Sequence, residues 1–222
     1  LDGYWQTEGF LTEAGEYLSW ALLGAQKTGN PDAELAVTFA LGTNAFLRHD
    51  DPRAQEHYRC ALALAVASGK QLAMAQALHA LGNVAFRQGD QIVALDYYQR
   101  SLTKREMFDD EAGISALYYA LGKTYQKRGD LARARQQYEP SLEINLRLPN
   151  AVAAAYLSYQ IAALAQTEGR YSEAERYYQQ AFELRQDIGD EAGAMRTLYQ
   201  LGVVTAAQGK LEGRYVAKLA GV

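Results

Sequence analysis

His57 and Cys60 stand three residues apart, close to one helical turn, and are the chain's nearest approach to a metal-ligand or nucleophilic pair. Two ligands are too few for a structural zinc site, and a free cysteine is most often simply packed. The pair therefore reads as a surface histidine beside a packed cysteine. Asp109, Asp110 and Glu111 form an acidic run that could serve acid–base chemistry, but carboxylates at a helix start have a simpler reason to be there. Gly209-Lys210 lacks the upstream glycine and the hydroxyl residue of a phosphate loop. Neither a dinucleotide-binding glycine pattern nor a nucleophile elbow is present. The doublets Tyr97-Tyr98 and Tyr177-Tyr178 read as one core and one surface ring each. The expectation is a chain without catalytic residues, metal or cofactor, and so not an enzyme.

Composition narrows the classes further. The 222 residues carry a net charge of −4, and the pI is near 5.5, which argues against nucleic-acid binding. The single cysteine excludes an internal disulfide and suits a reducing, cytoplasmic setting. No apolar run reaches the ~18 residues of a membrane span. No signal peptide opens the chain, and its start at Leu1 leads us to expect a piece of a longer protein. Only four prolines occur in a sequence rich in alanine and leucine, so long helices are expected.

What positions any site is a period of forty. Leu41-Gly42, Leu81-Gly82, Leu121-Gly122, Ile161-Ala162 and Leu201-Gly202 recur without insertion. So do Gly9, His49, Gly89, Gly129, Gly169 and Gly209, then Ala14, Ala54, Ala94, Ala134 and Ala174. Leu18, Tyr58, Tyr98, Tyr138 and Tyr178 follow, then Leu22, Leu62, Leu102, Leu142 and Phe182. The alanine, tyrosine and leucine lie at i, i+4 and i+8, one stripe of a helix. Each repeat reads as two helices. The first ends at the recurring glycine, which suits the left-handed C′ position; at His49 a histidine tolerates that conformation at a cost. Asn30-Pro31 and Asp51-Pro52 pair a capping side chain with a proline at the first helical position. Asp110 and Asp190 are placed to cap, and Ser172 with Glu175 spells a capping box. The small residues mark a close helix crossing, with the tyrosine filling the wedge beside it and its hydroxyl needing a partner. Neither helix can fold alone, so each repeat needs its neighbour. Leu1 falls midway through a first helix, and residues 213–222 lose the stripe, leaving one array of about five and a half repeats with apolar ends able to associate end to end.

Leu81, Gly82, Ala85, Gly89, Asp90, Ala94, Tyr98, Ser101 and Leu102 together resemble the pattern of the tetratricopeptide repeat family, and the resemblance runs from about Leu1 to Leu211. It implies an all-α, right-handed superhelical solenoid of antiparallel helix pairs. The family's usual repeat is about thirty-four residues and closes on a proline. Here Val66, Glu106, Leu146 and Gln186 stand at that position, so the second helices continue. The forty-residue period, with Asp-Glu-Ala-Gly at Asp110 and Asp190, is similar to the sensor arms of bacterial STAND-class signalling ATPases and related regulators.

The resemblance also implies a concave face lined by first helices. Carried onto this chain, it gives an aromatic ladder of Phe39, His79, Tyr119, Tyr159 and Tyr199. Beside the ladder lie Asn83, Lys123, Phe86, Arg87, Lys127, Tyr156 and Arg196. The twenty-five positions of this lining hold no Asp or Glu, where composition alone would place about three. Rings give contact area at low entropy cost and cations hold an acidic group. The expected partner is a protein or peptide with an acidic or carboxylate feature; nucleic acid and membrane are not expected. Asn83, Arg87, Lys123 and Lys127 match only part of the family's carboxylate clamp, with His79 where its first lysine would stand. A passive scaffold and a small-molecule site are the rival readings, and some ladder rings could simply fill gaps between helices.

Overall fold

The computed structural model describes residues 2–209, with side chains from Gly9 onward. Among them are ten α-helices and no strand. The contacts group into two compact units, Leu1–Asp110 and Glu111–Val222. The first holds α1 (Asp2–Thr28), α2 (Pro31–Leu47), α3 (Asp51–Ala67), α4 (Gln71–Gln88) and α5 (Gln91–Glu106). The second holds α6 (Glu111–Lys127), α7 (Leu131–Arg147), α8 (Ala151–Thr167), α9 (Tyr171–Asp187) and α10 (Glu191–Ala207). Within each unit every helix packs on the next in sequence, the all-α helix-pair solenoid arrangement. Val66, Leu146 and Gln186 lie inside second helices and Glu106 is the last residue of α5, so all four second helices extend to the usual proline position or beyond it.

The turns follow the chemistry of their residues. Gly89, Gly129 and Gly169 take positive φ after their helices, and His49 does so with φ 58°. Asn30, Asp90, Asp130, Asn150 and Asp190 each accept a main-chain N–H from the first turn that follows. Three expected starts and stops differ. The cap of α3 is Asp50 rather than Asp51; Asp51 is inside the helix and pairs with Arg87. The capping box at Ser172 does not form, because α9 opens two residues earlier, behind Arg170, whose guanidinium pairs with Glu168 and Glu173. Glu175 instead accepts from Gln208 Nε2 at 3.1 Å. No turn occurs at Gly9, and α1 runs straight through it. Phe10 follows that glycine where the other repeats have Asp, Arg or Lys. The expected irregular tail, 213–222, lies outside the described residues.

The crossing of each pair depends on one contact. Ala54, Ala94, Ala134 and Ala174 are fully buried, and Tyr58, Tyr98, Tyr138 and Tyr178 lie buried beside them. Each of the first three rings lies against a glycine of the preceding helix. A Cβ on Gly42 would fall 2.6 Å from Tyr58 Cδ1, on Gly82 2.5 Å from Tyr98 Cε1, and on Gly122 2.6 Å from Tyr138 Cδ1. Glycine inside a helix costs about 1 kcal/mol against alanine, so its return in three repeats reflects the space the ring takes. Ala162 holds the equivalent position in the cluster of Tyr178.

The buried hydroxyls all find partners, but not at one offset. Tyr58 and Tyr98 donate to Thr43 Oγ1 (3.3 Å) and Asn83 Oδ1 (2.8 Å), fifteen residues back. Tyr138 and Tyr178 donate to Gln126 Oε1 (2.8 Å) and Gln166 Oε1 (2.7 Å), twelve residues back. Residues fifteen back are there Lys123 and Ala163, neither of which has a side-chain acceptor, so the bond moves one turn along the helix.

Gly122→Ala should lower stability by about 1–2 kcal/mol, the overpacking cost exceeding the gain in helix propensity. Its Cβ would also meet the Ala134 carbonyl at 3.1 Å, which cannot rotate away. Gly24→Ala, whose Cβ meets nothing within 4 Å, should raise stability by about 0.5–1 kcal/mol. Urea midpoints of the two variants against the parent check both signs; a neutral Gly122→Ala would contradict the packing.

Candidate ligand-binding site

Four of the five ladder rings are first of all lids on the buried tyrosines. Phe39 packs on Tyr58 with ring centroids 5.3 Å apart, His79 on Tyr98 at 5.7 Å, Tyr119 on Tyr138 at 6.0 Å and Tyr159 on Tyr178 at 5.3 Å. Gap-filling thus accounts for much of their recurrence. In the first unit the other expected site residues are also engaged. Asn83 receives the Tyr98 hydroxyl. Arg87 donates to the Phe46 carbonyl at 2.6 Å, lies 3.6 Å over the Phe46 ring and pairs with Asp51. Its charge is therefore offset by an acid from the neighbouring helix, a residue outside the acid-free rows. Phe86 is half-buried. Burial pushes the His79 imidazole down to about 4, with the Arg105 charge adding to the effect, so it is a neutral ring rather than a cation at pH 7.

In the second unit the lining opens. Between α6 and α8, floored by α7, lies a cavity of about 520 Å³ walled by Ala116, Tyr119, Val152, Tyr156 and Leu157. Tyr119 donates to the Tyr156 hydroxyl at 3.4 Å, and their rings meet edge to face at 5.7 Å. Burial and the neighbouring hydroxyl raise the Tyr119 phenol well above its ordinary value, so it stays protonated. Tyr156 is 42% and Tyr199 66% exposed. Lys123, Lys127 and Arg196 are exposed as well. Tyr159 is half-buried, with the Arg185 guanidinium 5.0 Å over its ring.

The floor consists of residues that sequence reasoning missed. Ser115, Ser141 and Asn145 are buried and line the cavity. Ser141 Oγ donates to the Ser115 carbonyl at 2.9 Å, and Asn145 Nδ2 donates to Ser115 Oγ at 2.5 Å and to the Ser141 carbonyl at 2.8 Å. Arg185 is buried too, donating to the Gly193 carbonyl and Thr197 Oγ1 at 2.7 Å each, with Asp190 3.8 Å away. Burial lowers its hold on the proton; Asp190 opposes this and the Arg196 charge reinforces it. The available signal was a polar row on the second helices: Arg105, Asn145 and Arg185 recur at the same period, with Ala65 at the position before them. Among the described residues no three His, Cys, Asp or Glu side chains converge as metal ligands, and no helix is long and apolar enough to cross a membrane. Cys60 is exposed rather than packed, because the buried stripe of α3 passes through its neighbour Ala61.

Helix pairs stacked through small residues, with an open lined face, define a helical-repeat protein. The model of the tetratricopeptide repeat matches residues 38–107, 73–147 and 151–212, and the chain belongs to that family. No curated protein sequence matches it. Among solved structures it is similar to BtubC (BKLC) from P. vanneervenii, with 19% identity, 96% of this chain and 93% of that one covered, and a TM-score of 0.78. It is also similar to a signal transduction ATPase with numerous domains and a tetratricopeptide repeat sensor, from Pyrococcus horikoshii: 17% identity, TM-score 0.84, 99% of this chain but 34% of that one. A third is the quorum sensor NprR of B. thuringiensis in its apo form, at 16% identity and TM-score 0.67, covering 94% of this chain and 58% of that one. At such identities the similarity establishes the fold.

The pH dependence of stability reports on the His79 lid. Its folded pKa lies below the ordinary 6.5, so as pH falls the unfolded chain takes up the proton first. The contribution is complete above pH 6.5 and is lost as pH falls towards about 4. His79→Phe, which copies the residue at position 39, should lose less stability than the parent between pH 7 and pH 5 in urea titrations. Equal losses in the two proteins would refute the burial of a neutral imidazole.

Proposed function

We propose that the chain is a non-catalytic, protein- or peptide-binding repeat array, the ligand-sensing or interaction arm of a larger signalling or transcription-regulatory protein in the cytoplasm. The repeat register runs unbroken through its sequence, and the family is in general an interaction scaffold. The observation that carries the reading is the open cavity of the second unit, where Tyr119 and Tyr156 stand over a polar floor. Tyrosines supply large rigid contact surfaces with a hydrogen-bonding tip, and an acidic ligand would be drawn by Lys123 and Arg196, both exposed. Two proteins of similar structure, a STAND protein with a repeat sensor and a quorum sensor, are of the same kind.

A passive assembly scaffold is the rival, and small-angle scattering separates the two: a sensor changes its dimensions when ligand binds and a scaffold does not. The binding site itself is tested with peptides selected from a random phage-displayed library. The triple variant Tyr119→Ala, Tyr156→Ala, Lys123→Ala should bind the selected peptides at least tenfold more weakly with unchanged helicity, roughly the loss expected on removing central aromatic anchors. Unchanged affinity would remove the trough from consideration.

A further inference from the structure

Asn145 is 6% exposed and sits on the floor of the cavity beneath Tyr119 and Tyr156. Its amide orientation follows from its neighbours. The Ser141 carbonyl, 2.8 Å away, can only accept, so the atom facing it is Nδ2. The second Nδ2 hydrogen goes to Ser115 Oγ. The hydroxyls are committed as well: Ser141 Oγ donates to the Ser115 carbonyl at 2.9 Å, and the Ser115 hydroxyl has the Ser141 carbonyl at 3.3 Å and Ser141 Oγ at 3.0 Å. Every donor of the cluster is thus turned inward. What remains is an acceptor, Asn145 Oδ1, which has no hydrogen-bond partner among the described residues.

The equivalent residues on the other second helices differ. Ala65 has no polar group, Arg105 pairs with Asp110, and Arg185 spends its donors on Gly193 and Thr197. Asn145 alone of this row presents a fixed acceptor, set among the apolar walls of Ala116, Val152 and Leu157, where a hydrogen bond is electrostatically stronger than in water.

We propose that Asn145 Oδ1 accepts one main-chain N–H of an extended peptide lying between Tyr119 and Tyr156, so that this point of the trough reads peptide backbone and rejects a group that offers only acceptors, such as a carboxylate. This rests on the trough being the ligand site. An extended segment fits because it carries unpaired N–H groups along its length, and the flanking rings accommodate side chains of many shapes. The acidic part of a ligand then belongs at Lys123 or Arg196, away from the floor.

The test uses the tightest peptide from the phage-displayed library, resynthesised with each backbone amide replaced in turn by an ester, which deletes the N–H with little change of shape. One position should lose about tenfold in affinity for the parent protein. At that position the penalty should vanish in Asn145→Leu. Should Asn145→Leu fail to fold, Asn145→Gln, which keeps the amide and moves its oxygen outward by one methylene, should move or shrink the penalty. Ester effects that are uniformly small, or that persist unchanged in the Asn145 variants while binding still depends on Tyr119 and Tyr156, overturn the role of Asn145 alone. Peptide binding that ignores Tyr119 and Tyr156, or the absence of any selected peptide, overturns the trough reading and this inference with it.

Discussion

A tyrosine ring against a bare glycine backbone governs this structure. Gly42, Gly82 and Gly122 have no room for a Cβ because Tyr58, Tyr98 and Tyr138 lie over them. A single ring would be a local packing detail. Recurring at a spacing of forty in three successive repeats, it fixes how closely α2, α4 and α6 meet α3, α5 and α7, because interiors packed to crystal density transmit a displaced atom to its neighbours. The ring also brings a hydroxyl into the interior, and that hydroxyl obliges the first helix to supply an acceptor. One contact therefore dictates a glycine, a tyrosine, a buried alanine and a Thr, Asn or Gln.

The same contact links the core to the face on which a ligand would lie. Four of the five ladder rings, Phe39, His79, Tyr119 and Tyr159, cover the outer side of a buried tyrosine, so that much of the lining is the top layer of the core. In the first unit that layer is closed by Arg87 over Phe46 and by the neutral His79. In the second unit Tyr156 stands exposed beside Tyr119, and Ser115, Ser141 and Asn145 form a polar floor between them. A trough built this way is preorganised: its rings are held from below before a ligand arrives, which reduces the ordering cost of binding.

Much of the fold was legible because glycine, alanine, tyrosine and leucine each have a spacing with a steric cause. The helix pairs, the left-handed His49 and the continuation of the second helices through Glu106 and Gln186 all follow from it. Boundaries were less legible where one cap competes with another: Asp50 rather than Asp51 begins α3, and Arg170 rather than Ser172 precedes α9. The continuous α1 was hidden because the recurring glycine permits a turn without compelling one, and at Gly9 the helix carries on into Phe10. The site was half legible. Tyr119 and Tyr156 were read from their rows, but Asn145 was not, since a polar residue near a second-helix end has no visible reason until Ser115 and Ser141 are seen around it. Conversely, the cationic row lost Arg87 to Asp51, thirty-six residues away, a pairing that no helical spacing reveals.

A double-mutant cycle on Gly82 and Tyr98 tests the governing contact most directly, since the three nearest atoms to a Cβ on Gly82 all belong to that ring. With Tyr98 present, Gly82→Ala should destabilise the protein. In the Tyr98→Leu background the obstruction is gone, and the same change should instead stabilise by about 0.5–1 kcal/mol, the helix propensity difference alone. An equal cost in both backgrounds would show that the glycine answers to something other than the tyrosine, and the account of the repeat would fail.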